Sequence, residues 1–291
     1  MLRRDFLRIV AVAGAAAGCG STGDTSTNSG AFTSPSAPAV NGFLGRVSSQ
    51  DFFLFDSSGT PFVIRTKQGK VERLNAQGAS LWTTGPSGIG AQDLNTPVGL
   101  DSDLQQRVWV VDRALARLVR FSAQGVFQGV FSQGLLGMPQ DIKFFDGSLY
   151  VSDALNARIA ILNLDGALTG EIRSPELSYP RALAFDSRGR LHVVNSGSWP
   201  LLVFSPQGQL LGRYGRGARD TIDPKGQLAY ALDIWIRNNV GQVAIADPVR
   251  AVIQFFDLDG NSISNLVVPG IQPRRLSFAP SGELFVFGDP L

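Results

Sequence analysis

PVGLDSDLQQRVWVVDRALARLVRFSAQG, residues 97–125, holds three apolar runs separated by short polar turns. Residues 139–166 (PQDIKFFDGSLYVSDALNARIAILNLDG) and 180–208 (PRALAFDSRGRLHVVNSGSWPLLVFSPQG) repeat the same order. The runs are four to six residues long, rich in Val, Ile, Leu, Phe and Trp, and bounded by Gly, Asp, Asn, Ser or Pro, which is strand and turn punctuation. Six such stretches lie over one another. The ends of their second runs fall at Arg65, Asp112, Asp153, Asn195, Asp247 and Gly288, with steps of 47, 41, 42, 52 and 41 residues. Periods near forty signal a repeat fold.

Each unit reads as a Pro-led strand, a Gly-closed turn, a second strand, a polar loop, a third strand and a second Gly-closed turn into a fourth. One unit is therefore a four-stranded antiparallel meander with two apolar faces, and such sheets bury both faces by stacking into a ring. The last unit supplies only two strands, LSFAP and LFVFG, before Leu291. The stretch 38–47, which reads strand, Asn41-Gly42 turn, strand, is expected to complete it and latch the ring. The expected fold is all-β: a six-bladed β-propeller of four-stranded antiparallel blades, closed by an N-terminal segment.

Pro97, VWVVD ending at Asp112 and Arg117-Leu118, then Pro139, LYVSD ending at Asp153 and Arg158-Ile159, resemble the NHL-repeat propellers. The resemblance spans roughly residues 40–291, is strongest in these two units and weakest in the first, where Arg65 stands for the Asp. It implies a propeller and leaves the activity open, because such propellers include scaffolds, ligand binders and enzymes. The related amidating and streptogramin-inactivating lyases use histidines, and the only histidine here is His192. Calcium-dependent lactonases of similar form use acidic and amide ligands, for which Asp112, Asp153, Asn195, Asp247, Asp101, Asp141 and Asp233 are candidates. The first four recur unit by unit, twice with an Arg five residues on, so capping of the chain is favoured over metal binding.

Composition agrees with a turn-dense β fold. Gly 33 and Pro 16 make about 17% of 291 residues, against the usual ~12%. No segment approaches the ~20 apolar residues of a membrane-spanning helix. Arg3-Arg4-Asp5-Phe6-Leu7 followed by a weakly apolar Ala/Gly run has the form of a twin-arginine export signal, and Ala16-Ala17-Gly18-Cys19 resembles a bacterial lipoprotein cleavage box. The expected organisation is a signal over 1–18 with Arg3 and Arg4 directing export, a lipidated flexible tether over 19–38 beginning at Cys19, and the propeller over 39–291. The expected address is the bacterial cell envelope. Cys19 is the only cysteine, which excludes disulfides and thiolate metal sites. Of 26 basic and 24 acidic residues, residues 1–18 hold three and one, so the remainder carries 23 of each and lacks a nucleic-acid footprint.

A ligand face is expected where interblade loops and second-to-third-strand loops meet. It should carry Gln140, Asp141, Tyr179, Arg181, Trp199, Tyr230, Arg274 and Arg275, overhung by Arg213, Arg216 and Arg219 of the long connection. Clustered guanidinium groups suit carboxylates or phosphates. The expected function is a lipid-anchored binding or scaffolding module recognising an envelope protein, peptide or anionic glycan, with no cofactor, no catalytic residues, no metal and no nucleic-acid partner. The alternative is a calcium-dependent lactonase-like hydrolase or lyase.

Overall fold

The computed structural model describes residues 9–13 (backbone only), 51–85, 87–196, 200–215 and 227–291. The first strand, β1 (Ile9–Ala13), stands apart in sequence from the rest. Four-stranded antiparallel sheets then follow in chain order. The first blade is β2 (Phe52–Phe55), β3 (Pro61–Arg65), β4 (Lys70–Leu74) and β5 (Ser80–Thr83); the second is β6 (Pro97–Ser102), β7 (Val108–Asp112), β8 (Arg117–Phe121) and β9 (Phe127–Phe131). The third is β10 (Pro139–Phe145), β11 (Ser148–Asp153), β12 (Arg158–Leu162) and β13 (Leu168–Ile172); the fourth is β14 (Leu183–Phe185), β15 (Leu191–Val194), β16 (Leu201–Phe204) and β17 (Leu210–Tyr214). The fifth is β18 (Asp233–Arg237), β19 (Gln242–Asp247), β20 (Val252–Asp257) and β21 (Ser262–Val267), and the chain ends in the pair β22 (Ile271–Phe278) and β23 (Leu284–Pro290).

The burial of each strand follows its place in the sheet. All of VWVVD in β7 is buried, because a second strand is covered on both faces by neighbouring blades and so reads as a continuous apolar run. The outermost strands, such as β5 and β17, are largely exposed or half-buried. Apolar cores fill the spaces between successive blades; one, of Phe53, Phe55, Val63, Leu74, Phe285 and Phe287, joins β22 and β23 to the first blade. The sheets thus make a propeller.

The hairpin turns are tied by their first side chain. Asp186 Oδ1 accepts the amides of Arg188 and Arg190, and Asp103 Oδ1 those of Gln105 and Arg107. Gly189 closes the first of these turns at φ +75°, a conformation side chains resist.

The end of the chain differs from the sequence expectation. Among the described residues there are five four-stranded blades and a smaller last sheet, rather than six four-stranded ones. The strand lying on β23 is Ile9–Ala13, which runs parallel to it with Ile9 opposite Leu284 and Ala13 opposite Gly288. An outer edge of a sheet leaves backbone groups unpaired, and the run IVAVA is an apolar, partly β-branched mate for it. The expected latch over 38–47 lies outside the described residues.

Candidate functional site

The repeated residue at the end of each second strand anchors the connection that enters its own blade. Asp112 accepts the amides of Asn95 and Thr96, at 3.0 Å each. Asp153 accepts those of Gly137 and Met138 and pairs with Arg158 at 3.1 Å. Asn195 accepts from Ser178 and donates to the Glu176 carbonyl, while Asp247 accepts from Ala229 and Tyr230. Residues that hold this many donors are caps. In the first blade the charges are exchanged: Arg65 occupies the position and pairs with Asp51 at 2.7 Å. Gly288 occupies it in the last sheet, where a Cβ would stand 1.9 Å from the Gln272 carbonyl oxygen.

The inner strands carry a second set of carboxylates, which join blade to blade. Asp101 Oδ1 accepts the Ser57 amide of the first blade and Oδ2 the Phe144 amide of the third. Asp141 Oδ2 accepts from Leu183, and Asp233 Oδ2 from Leu276. Burial raises the carboxyl pKa of Asp101, and pushes that of Asp233 up to about 6 despite Arg275 nearby. Burial also opposes the charge of Lys143, but Asp141, Asp101 and Asp233 outweigh it and raise its pKa. Asp141, expected on the ligand face, is therefore a joint between blades.

A hollow of about 430 Å³ opens where the inner strands begin. Gln140, Arg181, Arg274 and Arg275 line it, together with Lys67 and Arg113. Asp51 and Asp289 are the carboxylates among its lining residues, so its charge is positive. Arg181 lies between the rings of Tyr179 and Tyr230, at 5.1 and 5.0 Å from their centroids, and donates to Ser196 Oγ and the Tyr230 hydroxyl. Flanking rings hold a guanidinium in place while leaving its charge available. Arg275 lies over Phe52, and Arg274 pairs with Asp289. Gln140 is buried, and among the described residues its side-chain nitrogen has no partner. Arg213 is elsewhere: it lies on the outermost strand of its blade and pairs with Glu176. Trp199, Arg216 and Arg219 lie outside the described residues. Lys67 and Arg113 were missed, although both follow second strands and so belong to the loops assigned to this face.

A second, larger hollow of about 810 Å³ opens at the other end of the inner strands. Phe145, Phe185, Trp235 and Phe278 line it, with Lys143, Arg237, Asp101 and Asp56. Phe145 and Phe185 stack at 4.0 Å with 7° between their planes. No motif in the sequence marks this end.

His192 is sealed in the protein, 1% exposed, with Nε2 3.0 Å from Asp186 Oδ2. Trp109, at the same register two blades earlier, donates its ring N–H to Asp103 Oδ2 at 2.9 Å. The histidine fills a core position that supports a turn. Among the described residues, no group of three His, Cys, Asp or Glu side chains is placed to hold a metal ion.

No protein-family model matches the sequence, and no curated protein does. Solved structures share the fold. A streptogramin B lyase structure superposes with a TM-score of 0.62 at 17% identity, over 84% of this chain and 78% of that one. A catalytically inactive histidine-to-alanine variant of virginiamycin B lyase from Staphylococcus aureus, solved with quinupristin, gives 0.59 at 15% identity, over 78% and 73%. A protein of unknown function from Bacteroides caccae gives 0.57 at 12% identity, over 81% and 85%. Likeness at this level is a likeness of fold.

Proposed function

We propose that this chain is a binding or scaffolding propeller of the bacterial cell envelope that takes an anionic protein segment, peptide or glycan at its arginine-lined mouth. The observation that carries the reading is the gathering of Arg181, Arg274 and Arg275 with Lys67 and Arg113 around one hollow. A guanidinium held between two tyrosines is preorganised for bidentate contact with a carboxylate or phosphate. Each such contact contributes roughly 1.5–3 kcal/mol. Binding of polyglutamate or a polyanionic glycan to Arg181→Gln/Arg274→Gln should fall at least tenfold with a flatter salt dependence. Unchanged affinity would show these arginines to be ordinary surface.

An enzyme of the lactonase or lyase kind stands second, favoured by the shared fold. His192 is enclosed by core, and the second-strand carboxylates are engaged as caps, which weighs against it. We propose with the first reading that the blades are of the NHL type, that the β22–β23 sheet is a sixth blade completed by residues 38–47 in the exported protein, and that Arg3-Arg4 with Cys19 export and anchor it through lipid. Fractionation of cells carrying Cys19→Ala tests the anchor; a variant that stays membrane-bound sinks it.

A further inference from the structure

The two hollows differ in chemistry. At the aromatic one, Phe145, Phe185 and Trp235 are half-buried, presenting ring surface to a space of about 810 Å³, within the ~300–1,000 Å³ of small-molecule sites. The polar groups around it are unequally satisfied. Asp101 accepts amides on both oxygens, from Ser57, Ser102 and Phe144. Asp186 accepts from the Arg188 and Arg190 amides, the Arg190 side chain and His192. Asp56 Oδ1 accepts from Ser58 and Thr60, and its Oδ2 is buried out of reach.

The cations are in the opposite condition. Lys143 is 26% exposed; Asp141, Asp101 and Asp233 favour its charge, yet among the described residues it makes one hydrogen bond, a long 3.4 Å contact to Asp141, although its ammonium has three protons to give. Arg237 lies over Phe278 at 5.1 Å and gives one N–H to Gln242; among the described residues no carboxylate pairs with it. Carboxylate oxygens here are thus engaged or, like Asp56 Oδ2, sealed from the hollow, while donors remain for a guest.

We propose that this hollow is a second binding site, for an amphipathic organic anion whose aromatic or apolar body lies against Phe145, Phe185 and Trp235 and whose carboxylate or sulfonate meets Lys143 and Arg237. It is separate from the arginine-lined mouth, at the other end of the inner strands.

The probe is 8-anilinonaphthalene-1-sulfonate, titrated into the full chain by fluorescence with excitation of tryptophan. One molecule should bind per chain. Arg237→Gln should weaken it at least fivefold. Ser187→Trp, an exposed lining position where bulk obstructs the hollow without entering the core, should do the same. Arg274→Gln at the other mouth should leave it unchanged, and a naphthylammonium of similar size should bind at least tenfold more weakly. Affinity retained in either of the first two variants, loss in Arg274→Gln, or equal binding of the ammonium overturns the proposal.

Discussion

Replacing Asp233 with Asn should stabilise the protein at neutral pH and not in acid. The carboxyl is held in the interior with 13% of its side chain exposed, between the Leu276 amide at 2.8 Å and the Arg275 guanidinium at 3.8 Å. Burial lifts its pKa from 3.8 to about 6, with Asp141 adding to the rise, and Arg275 and Lys143 countering it. A raised carboxyl pKa means that folding opposes ionisation. Below about pH 4 the group is protonated folded and unfolded, and no penalty exists; through pH 4–6 the penalty grows, and above 6 it is complete. A rise of about two units corresponds to about 3 kcal/mol at ~1.36 kcal/mol per unit. That shift is already net of the attraction of Arg275; an Asn oxygen can still accept the Leu276 amide, but its NH2 group is a poorer neighbour for the guanidinium than a protonated carboxyl, so a net gain of about 1–2 kcal/mol is expected at pH 8. At roughly 2–4 °C per kcal/mol for a domain of this size, the midpoint should rise by about 2–8 °C. Thermal unfolding of the full chain and of Asp233→Asn at pH 4 and pH 8 decides it. A variant that loses more stability at pH 8 than at pH 4 would refute the reasoning, because it would show the carboxylate to be a net contributor when charged.

Gly288→Ala should lower stability by about 2 kcal/mol or more in denaturant unfolding, since the new Cβ meets backbone rather than a yielding side chain; Gly85→Ala, with nothing within 4 Å, is the matched control. Deleting residues 36–47 should lower the unfolding midpoint, and deleting 21–33 should not; equal midpoints would refute completion of the last sheet by that segment.

The repeat and its caps were legible because they are local: Asp112 and Asp153 serve connections within their own blades, and their Arg partners lie five residues away. His192 was legible as core because it shares a register with Trp109. The joints were not legible. Asp101 links amides at Ser57 and Phe144, more than forty residues away on either side, and nothing in a single unit announces a partner in its neighbours. The aromatic hollow escaped for another reason. Phe145, Phe185 and Trp235 end or interrupt apolar strands, where a sequence cannot distinguish a ring facing core from one facing a cleft. Arg213 was misplaced because a positive residue near a loop says nothing of how far its strand lies from the axis.

The circuit of sheets is closed by groups far apart in the chain. Phe55 donates its amide to the Ser277 hydroxyl, 222 residues away, and Gly59 faces the Pro280 ring. Where Asp101, Asp141 and Asp233 join other blades with carboxylates, this seam relies on a neutral hydroxyl and a cluster of phenylalanines. The arginine-lined hollow straddles it, with Phe52 and Lys67 on one flank and Arg274, Arg275 and Phe287 on the other, and Arg275 lies over the Phe52 ring across the seam. A guest held there from both sides would therefore rivet a split washer. At a hundred times its dissociation constant it would add about 2.7 kcal/mol to the folded state. Its grip would register as slower amide exchange on both flanks of the seam.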